Sequence, residues 1–195
     1  MRQGPLIILS GPSGSGKSTV VRRLLEAGDL PLRQTVSATT RSPREGERDG
    51  IDYHFWTPEQ FEQAVREGAF LEWAEVVGHR YGTLRSEVEP YHRRGVGVIL
   101  VIDVQGAARM RQQYPDALSV FLKAPSPAAY EERLRKRGKD SEASIRKRLA
   151  VAAEEEARSG EYRHVIVNDD LGAAVARLRQ VIEAELRKER PCSTS

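Results

Sequence analysis

The densest chemistry in the chain is the run Gly11-Pro12-Ser13-Gly14-Ser15-Gly16-Lys17-Ser18, which fits the phosphate-binding spacing GxxxxGK[ST]. Each residue type has a task there. Glycines let backbone N–H groups curl around phosphate oxygens, and the helix that must follow aims its positive end at the same anions. Lys17 adds a mobile cation for the β- and γ-phosphates, and the Ser18 hydroxyl is placed to ligate Mg²⁺. A merely flexible glycine loop would not need a buried strand before it and a helix after it, and this run has both. The loop, taken with Thr19, predicts binding of a nucleoside triphosphate. A second candidate is Asp103, which ends the apolar run Val98-Ile99-Leu100-Val101-Ile102. Strand ends in parallel α/β folds meet near such a loop. Asp103 can therefore act near the transferring phosphate, through Mg²⁺, water or substrate, or it can simply cap the next helix.

These groups need elements to hold them. Residues 6–9 form a continuous apolar run, the mark of a strand buried on both faces. A helix over 17–27 follows, with Val20, Val21, Leu24 and Leu25 on one face and Gly28 as its stop. Strands are predicted at 34–38 and 52–56, around a charged loop with Pro43, Gly46 and Gly50. Thr57, Pro58 and Gln60 are a helix start, and that helix buries Phe61, Ala64 and Val65 before Gly68. Residues 70–81 read as a strand pair turning at Gly78, and 83–94 as a helix weakened by Pro90. Core strands at 96–103, 119–122 and 164–167 alternate with helices at 107–113, 126–137, 141–158 and 171–188, and 190–195 is a frayed tail.

Bulk properties narrow the function. The 195 residues suit one domain, and 39% hydrophobic with 30% charged residues is an ordinary globular composition. No apolar run approaches the roughly 20 residues of a membrane span. The first residues, with one Arg and a short apolar stretch, do not read as a signal peptide. A lone Cys192 excludes an intramolecular disulfide and fits a reducing compartment, so a cytoplasmic location is expected. The net charge of +3 is spread over small basic groups, which suit small anions better than nucleic acid. Arg133, Arg135 and Lys147 read as solvated helix faces. The scattered histidines offer no metal site made of protein alone.

The phosphate loop, VSATTRSPR at 36–44, Gly46-Glu47, Asp52-Tyr53-His54-Phe55, FLEWA at 70–74, Tyr81-Gly82-Thr83, IDVQG at 102–106 and VIVNDD at 165–170 together resemble the guanylate kinases. They stand in the family's order and cover the chain from Leu6 to about Glu185. The resemblance implies an α/β fold with a parallel sheet of the P-loop NTPase kind flanked by helices. The core would be about 1–35, 96–132 and 159–190, with a small, mostly β GMP-binding insert at about 36–85 and a helical lid at about 133–158. It implies transfer of the γ-phosphate of ATP to GMP, with Mg²⁺ accompanying ATP.

Residue by residue, the resemblance gives Glu72 the guanine N1–H and N2 donors and gives Ser37 and Thr83 the O6 acceptor. Arg41, Arg44, Tyr53 and Tyr81 match the residues that hold the GMP phosphate, a task that suits guanidinium forks and phenols. Asp103 matches a residue at the same site. Lys17, Arg41, Arg137 and Arg148 match the cations around the transferring group, and Asn168 matches a contact to the adenine of ATP. Outside the family, Glu72 could be a surface strand acid, the tyrosines core edges and Asn168 a turn residue. The sequence departs from the family at Val101, where an acid is frequent, which would leave Asp103 to carry that load. Two rival classes are a binding module of this fold without catalysis, against which the complete loop with Lys17 argues, and a kinase of phosphorylated sugars, against which Glu72, Ser37 and Thr83 argue. Monomer and homodimer both remain open.

Overall fold

A computed structural model describes residues 3–136 and 142–188. Its elements run β1 Leu6–Ser10, α1 Lys17–Leu25, β2 Leu32–Gln34, β3 Ala38–Thr39, β4 His54–Phe55, α2 Pro58–Arg66, β5 Phe70–Val76, β6 His79–Leu84 and α3 Arg85–Arg93. They continue with β7 Gly97–Val101, α4 Val104–Gln113, β8 Leu118–Lys123, α5 Pro127–Lys136, α6 Glu142–Ala157, a short 3-10 turn, β9 His164–Val167 and α7 Leu171–Lys188. Arg137, the expected cap Ser141 and the tail 190–195 lie outside the described residues.

Five strands form an all-parallel sheet in the order β2-β7-β1-β8-β9. Its apolar runs are continuous because both faces are covered. Ile7, Leu9 and Ile99 point to one side, where Val20, Val21 and Leu24 of α1 meet Ala174, Leu178 and Ile182 of α7. Leu6, Ile8, Val98 and Leu100 point to the other, against Val88 of α3 and Val104, Ala107 and Met110 of α4. This is the expected α/β arrangement. The strand ends at Ser10 and Val101 open toward one edge, where the loop before α1 and the turn before α4 lie side by side.

A second sheet, β4-β3-β6-β5, is mixed: β3 runs parallel to β4 and antiparallel to β6, and β5 is antiparallel to β6. Its core is small and aromatic. Phe61 of α2 stacks on Phe70 at 4.5 Å, edged by Trp56 and Trp73. The capping box foreseen at Thr57 is present, with Gln60 N–H donating to the Thr57 hydroxyl and the Gln60 side chain accepting from Thr57 N–H.

Three expectations need correction. The single strand at 34–38 is split between the two sheets, with β2 in one and β3 in the other, because Thr35 N–H pairs with Ile99 while Ala38 pairs with Gly82. The helix expected from residue 83 begins at Arg85. Thr83 and Leu84 belong to β6, held by pairing with Glu72 and Phe70, and tertiary pairing overrides local helix propensity there. Asp103 stands two residues beyond the end of β7 and is the N-cap of α4, not a strand residue. Between the sheets, Glu87 of α3 accepts from Arg33 at 2.6 Å and from Val36 N–H, and its other oxygen lies 3.8 Å from His54.

Candidate active site

The phosphate loop is built by backbone. Gly14 and Gly16 have φ of 91° and 97°, a region that side chains other than glycine's rarely enter. Gly16 is also the N-cap of α1, and a Cβ there would come 2.4 Å from the Asn168 amide nitrogen. With glycine at the cap, no side chain takes the first N–H groups of α1, and they remain for an anion. Lys17 folds back to donate to the carbonyls of Gly11 and Pro12. The loop is also held from behind. The Asn168 amide donates to the Ser15 carbonyl at 2.7 Å, and Arg133 donates to the carbonyls of Gly14, Ser15 and Asn168. Arg133 is therefore no solvated face, which corrects the sequence reading. Arg135 is exposed as expected, paired with Glu131 and Glu142.

Across the cleft, the register of β5 against β6 sets Glu72 opposite Thr83. Thr83 donates to Glu72 at 2.7 Å. Glu72 is 5% exposed, and its other oxygen rests on the bare Cα of Gly106, where a Cβ would approach to 2.3 Å. Burial pushes the Glu72 carboxyl up to about 7; the Thr83 bond opposes this, Asp103 adds to it, and Arg109 opposes it. Asp103 lies beside them and accepts from Gln105 and Gly106 N–H through one oxygen, so it is a helix cap and a cleft residue at once.

Nearby, Arg41 is buried and clasped by Glu47 and by the Ser42 carbonyl, with Tyr53 and Phe55 under its guanidinium. Burial alone would discourage its charge, but Glu47 and Tyr81 outweigh it and hold Arg41 more firmly protonated than usual. Glu47 also accepts from Arg44 N–H. The Tyr53 ring stands edge-on to Tyr81, and burial raises its phenol.

One cleft of about 1180 Å³ joins these groups. Its wall includes Gly11, Ser13, Gly14, Gly16, Lys17, Ser18 and Thr19 at one end, and Ser37, Arg41, Arg44, Tyr53, Glu72 and Tyr81 at the other, with Asp103 between them and Arg148 of α6 above. Arg148 donates to Ser13 at 3.1 Å. Of the residues expected at the site, Thr83 stands behind Glu72, Asn168 stands behind the phosphate loop, and Pro12 and Ser15 belong to the loop itself; none of these four is among the lining residues. Sequence reasoning missed the roles of Glu47, Gly106 and Arg133, and it missed that Glu155 lines the cleft. Only helical spacing pointed to the last, since Ser144, Arg148, Val151 and Glu155 share one face.

The whole arrangement has counterparts of known name. The guanylate kinase family model matches residues 3–185. A guanylate kinase from Rubrobacter xylanophilus is 46% identical over 98% of this chain and 100% of its own, and one from Symbiobacterium thermophilum is 49% identical over 94% and 86%. The crystal structure of guanylate kinase from Anaplasma phagocytophilum superposes with a TM-score of 0.78 at 35% identity, covering 95% of this chain and 88% of its own. A gluconokinase from Sinorhizobium meliloti, at 20% identity and a TM-score of 0.51, shares the fold alone. The family match spans both ends of the cleft, from the strand before the phosphate loop into the last helix, and by it the chain belongs to the guanylate kinase family.

Proposed function

We propose that the chain moves the γ-phosphoryl group of ATP onto GMP, giving ADP and GDP, in purine nucleotide metabolism and GMP recycling. The observation that carries this reading is a buried carboxylate, Glu72, sharing one cleft with Lys17 and the phosphate loop. A carboxylate accepts from guanine N1–H and the N2 amine together. Thr83 spends its proton on Glu72, so it serves by orienting that group, and O6 falls to Ser37. Arg41, Arg44, Tyr53 and Tyr81 hold the GMP phosphate. An oxygen of that phosphate forms the new bond to Pγ as the bond from Pγ to the ADP oxygen breaks, and ADP keeps the electron pair. The nucleophile is already an anion, so no general base is needed. Lys17, Arg148 and Arg137 serve the spreading charge on the transferred group.

The donors fit a magnesium ion that arrives with its nucleotide. Ser18 offers a hydroxyl and Asp103 its uncapped oxygen, while the described residues contain no group of three metal-ligating side chains that would cage an ion unaided. Bound there, Mg²⁺ would neutralise β- and γ-phosphate charge. The unit of β3 to β6 with α2, about 36–85, is the GMP-binding part, and 133–158 is a lid; their closure would exclude water that otherwise takes the phosphoryl group. No helix among the described residues is long and apolar enough to cross a membrane, and the cytoplasm is the proposed location. A coupled assay with Mg-ATP and each nucleoside monophosphate tests the reading. GMP should be preferred over AMP by roughly 10³-fold or more, because AMP would confront Glu72 with an acceptor. Comparable turnover of AMP or UMP would sink the guanine assignment.

A further inference from the structure

Helix α6 turns one face to the cleft through Ser144, Arg148, Val151 and Glu155. Arg148 reaches the phosphate loop at Ser13. Glu155, two turns further on, is only 9% exposed, yet it accepts no hydrogen bond from any described residue. Burial pushes its carboxyl up to about 7; Lys17 pulls it down and Asp103 pushes it up. Its charged surroundings thus include Lys17 and Asp103, the two groups that face the transferring phosphate, besides Arg158 and Glu154 nearby in its own stretch of chain. A triphosphate seated on the loop would bring a polyanion beside two carboxylates. A cation among them relieves such a meeting and keeps both carboxylates ionised. Lys17 cannot fill that role alone, since the phosphates draw on the same ammonium. Mg²⁺ suits the gap: it keeps several waters and binds through one or two carboxylates together with substrate phosphates.

We propose that Glu155 is a positioning residue which, with Asp103, orients the water shell of the divalent cation carried in by the nucleoside triphosphate. The inference rests on the triphosphate-binding reading of the phosphate loop. It assigns Glu155 no contact with GMP and no part in bond making. The acidic run Glu154-Glu155-Glu156 hides this role, because only its middle member faces inward while Glu156 pairs with Lys123 at the protein surface.

The test uses the full chain and Mn²⁺ as probe, with a non-hydrolysable ATP analogue. Electron paramagnetic resonance measures free Mn²⁺, and so the affinity of the enzyme–analogue complex for the metal. Glu155→Gln should weaken that affinity by about tenfold or more, as loss of an outer-shell partner does. Affinity for the analogue in EDTA should stay level or improve, and KM for GMP should hold. Unchanged Mn²⁺ affinity in a folded variant would overturn the proposal. So would equal weakening of the analogue with and without metal, which would place Glu155 on Lys17 or the nucleotide. Glu155→Asp keeps the charge but retracts it by one methylene; it should give an intermediate loss, and it carries the same comparison if the Gln variant fails to fold. A wild-type protein that bound no analogue at all would instead overturn the phosphate-loop reading, and this inference with it.

Discussion

In the proposed function the two ends of the cleft solve the same problem, holding an anion-bearing nucleotide, with different materials. At the phosphate loop the binding groups are main-chain amides, and their shape comes from consecutive residues with left-handed glycines. At the Glu72 end they are side chains from β5, β6, the segment before β4 and the first turn of α4, brought together by strand register and by one close approach at Gly106. The first end takes its shape from a contiguous loop, braced from behind by Arg133 and Asn168, and carries its charge on Lys17. The second is fixed by tertiary packing and keeps its charge in a buried carboxylate, at the cost of a raised pKa. Damage to the loop end should therefore show mainly in turnover, and damage to the base end in recognition.

Lys17→Ala should break the loop end most severely. Turnover should fall by ~10²-fold or more with the melting temperature nearly unchanged, since the side chain serves ligand phosphates. A folded variant with normal kcat would remove the lysine from the chemistry. At the base end, Glu72→Gln keeps shape but exchanges an acceptor for a donor. KM for GMP should rise by tens of fold, the preference over AMP should narrow, and KM for ATP should hold. An unaltered GMP/AMP ratio would move base recognition away from Glu72.

The pH response sharpens the contrast. Guanine needs the ionised carboxylate, and the folded pKa is about 7, so lowering the pH protonates Glu72 and weakens GMP. From pH 8 to pH 6 the ionised fraction falls about tenfold, and KM for GMP should rise by about that factor. In Glu72→Gln this slope should flatten, leaving only the titration of GMP's own phosphate. An identical slope in both proteins would assign the effect to the nucleotide. Gly106→Ala tests the seat itself. In a helix this change ordinarily stabilises by roughly 0.5–1 kcal/mol, but here the new methyl would meet Glu72. A several-fold rise in KM for GMP with little change in kcat, and no gain in melting temperature, is the expected result. A variant that is more stable and kinetically normal would show Glu72 free to move. The smallest effect concerns the β5–β6 turn, where Val77 has φ 53° and Gly78 φ 79°. A β-branched residue is strained there, and Val77→Asn should stabilise by about 1 kcal/mol in a denaturant titration.

The same division explains what the sequence made legible. The phosphate loop is a contiguous motif, and β1, β8, β9 and α7 follow from apolar runs or periodicity, so residues 6–25 and 171–188 could be read almost to the residue. Glu72 was different: its own stretch gives no reason to bury an acid, and only resemblance singled it out. Thr83 reads locally as the start of a helix because its partner lies across a hairpin, and register is a property of two strands. Arg133 was assigned to solvent because nothing near it in sequence announces that Gly14 and Asn168 will come within reach. Residues 34–38 misled for a related reason. A single apolar-polar stretch serves two sheets in turn, and no local pattern marks the change of partner.

The braces behind the phosphate loop have a thermodynamic consequence. Arg133 and Asn168 grip the carbonyls of Gly14 and Ser15, so the protein's own side chains fix the shape of the loop that offers its amides to phosphate. The entropy of fixing those backbone torsions is then settled when the chain folds, not when nucleotide arrives. Because Arg133 stands on α5, the same bonds tie that helix to the phosphate loop. Calorimetry should read this directly: Arg133→Ala, which releases the loop, should make binding of an ATP analogue weaker and entropically costlier.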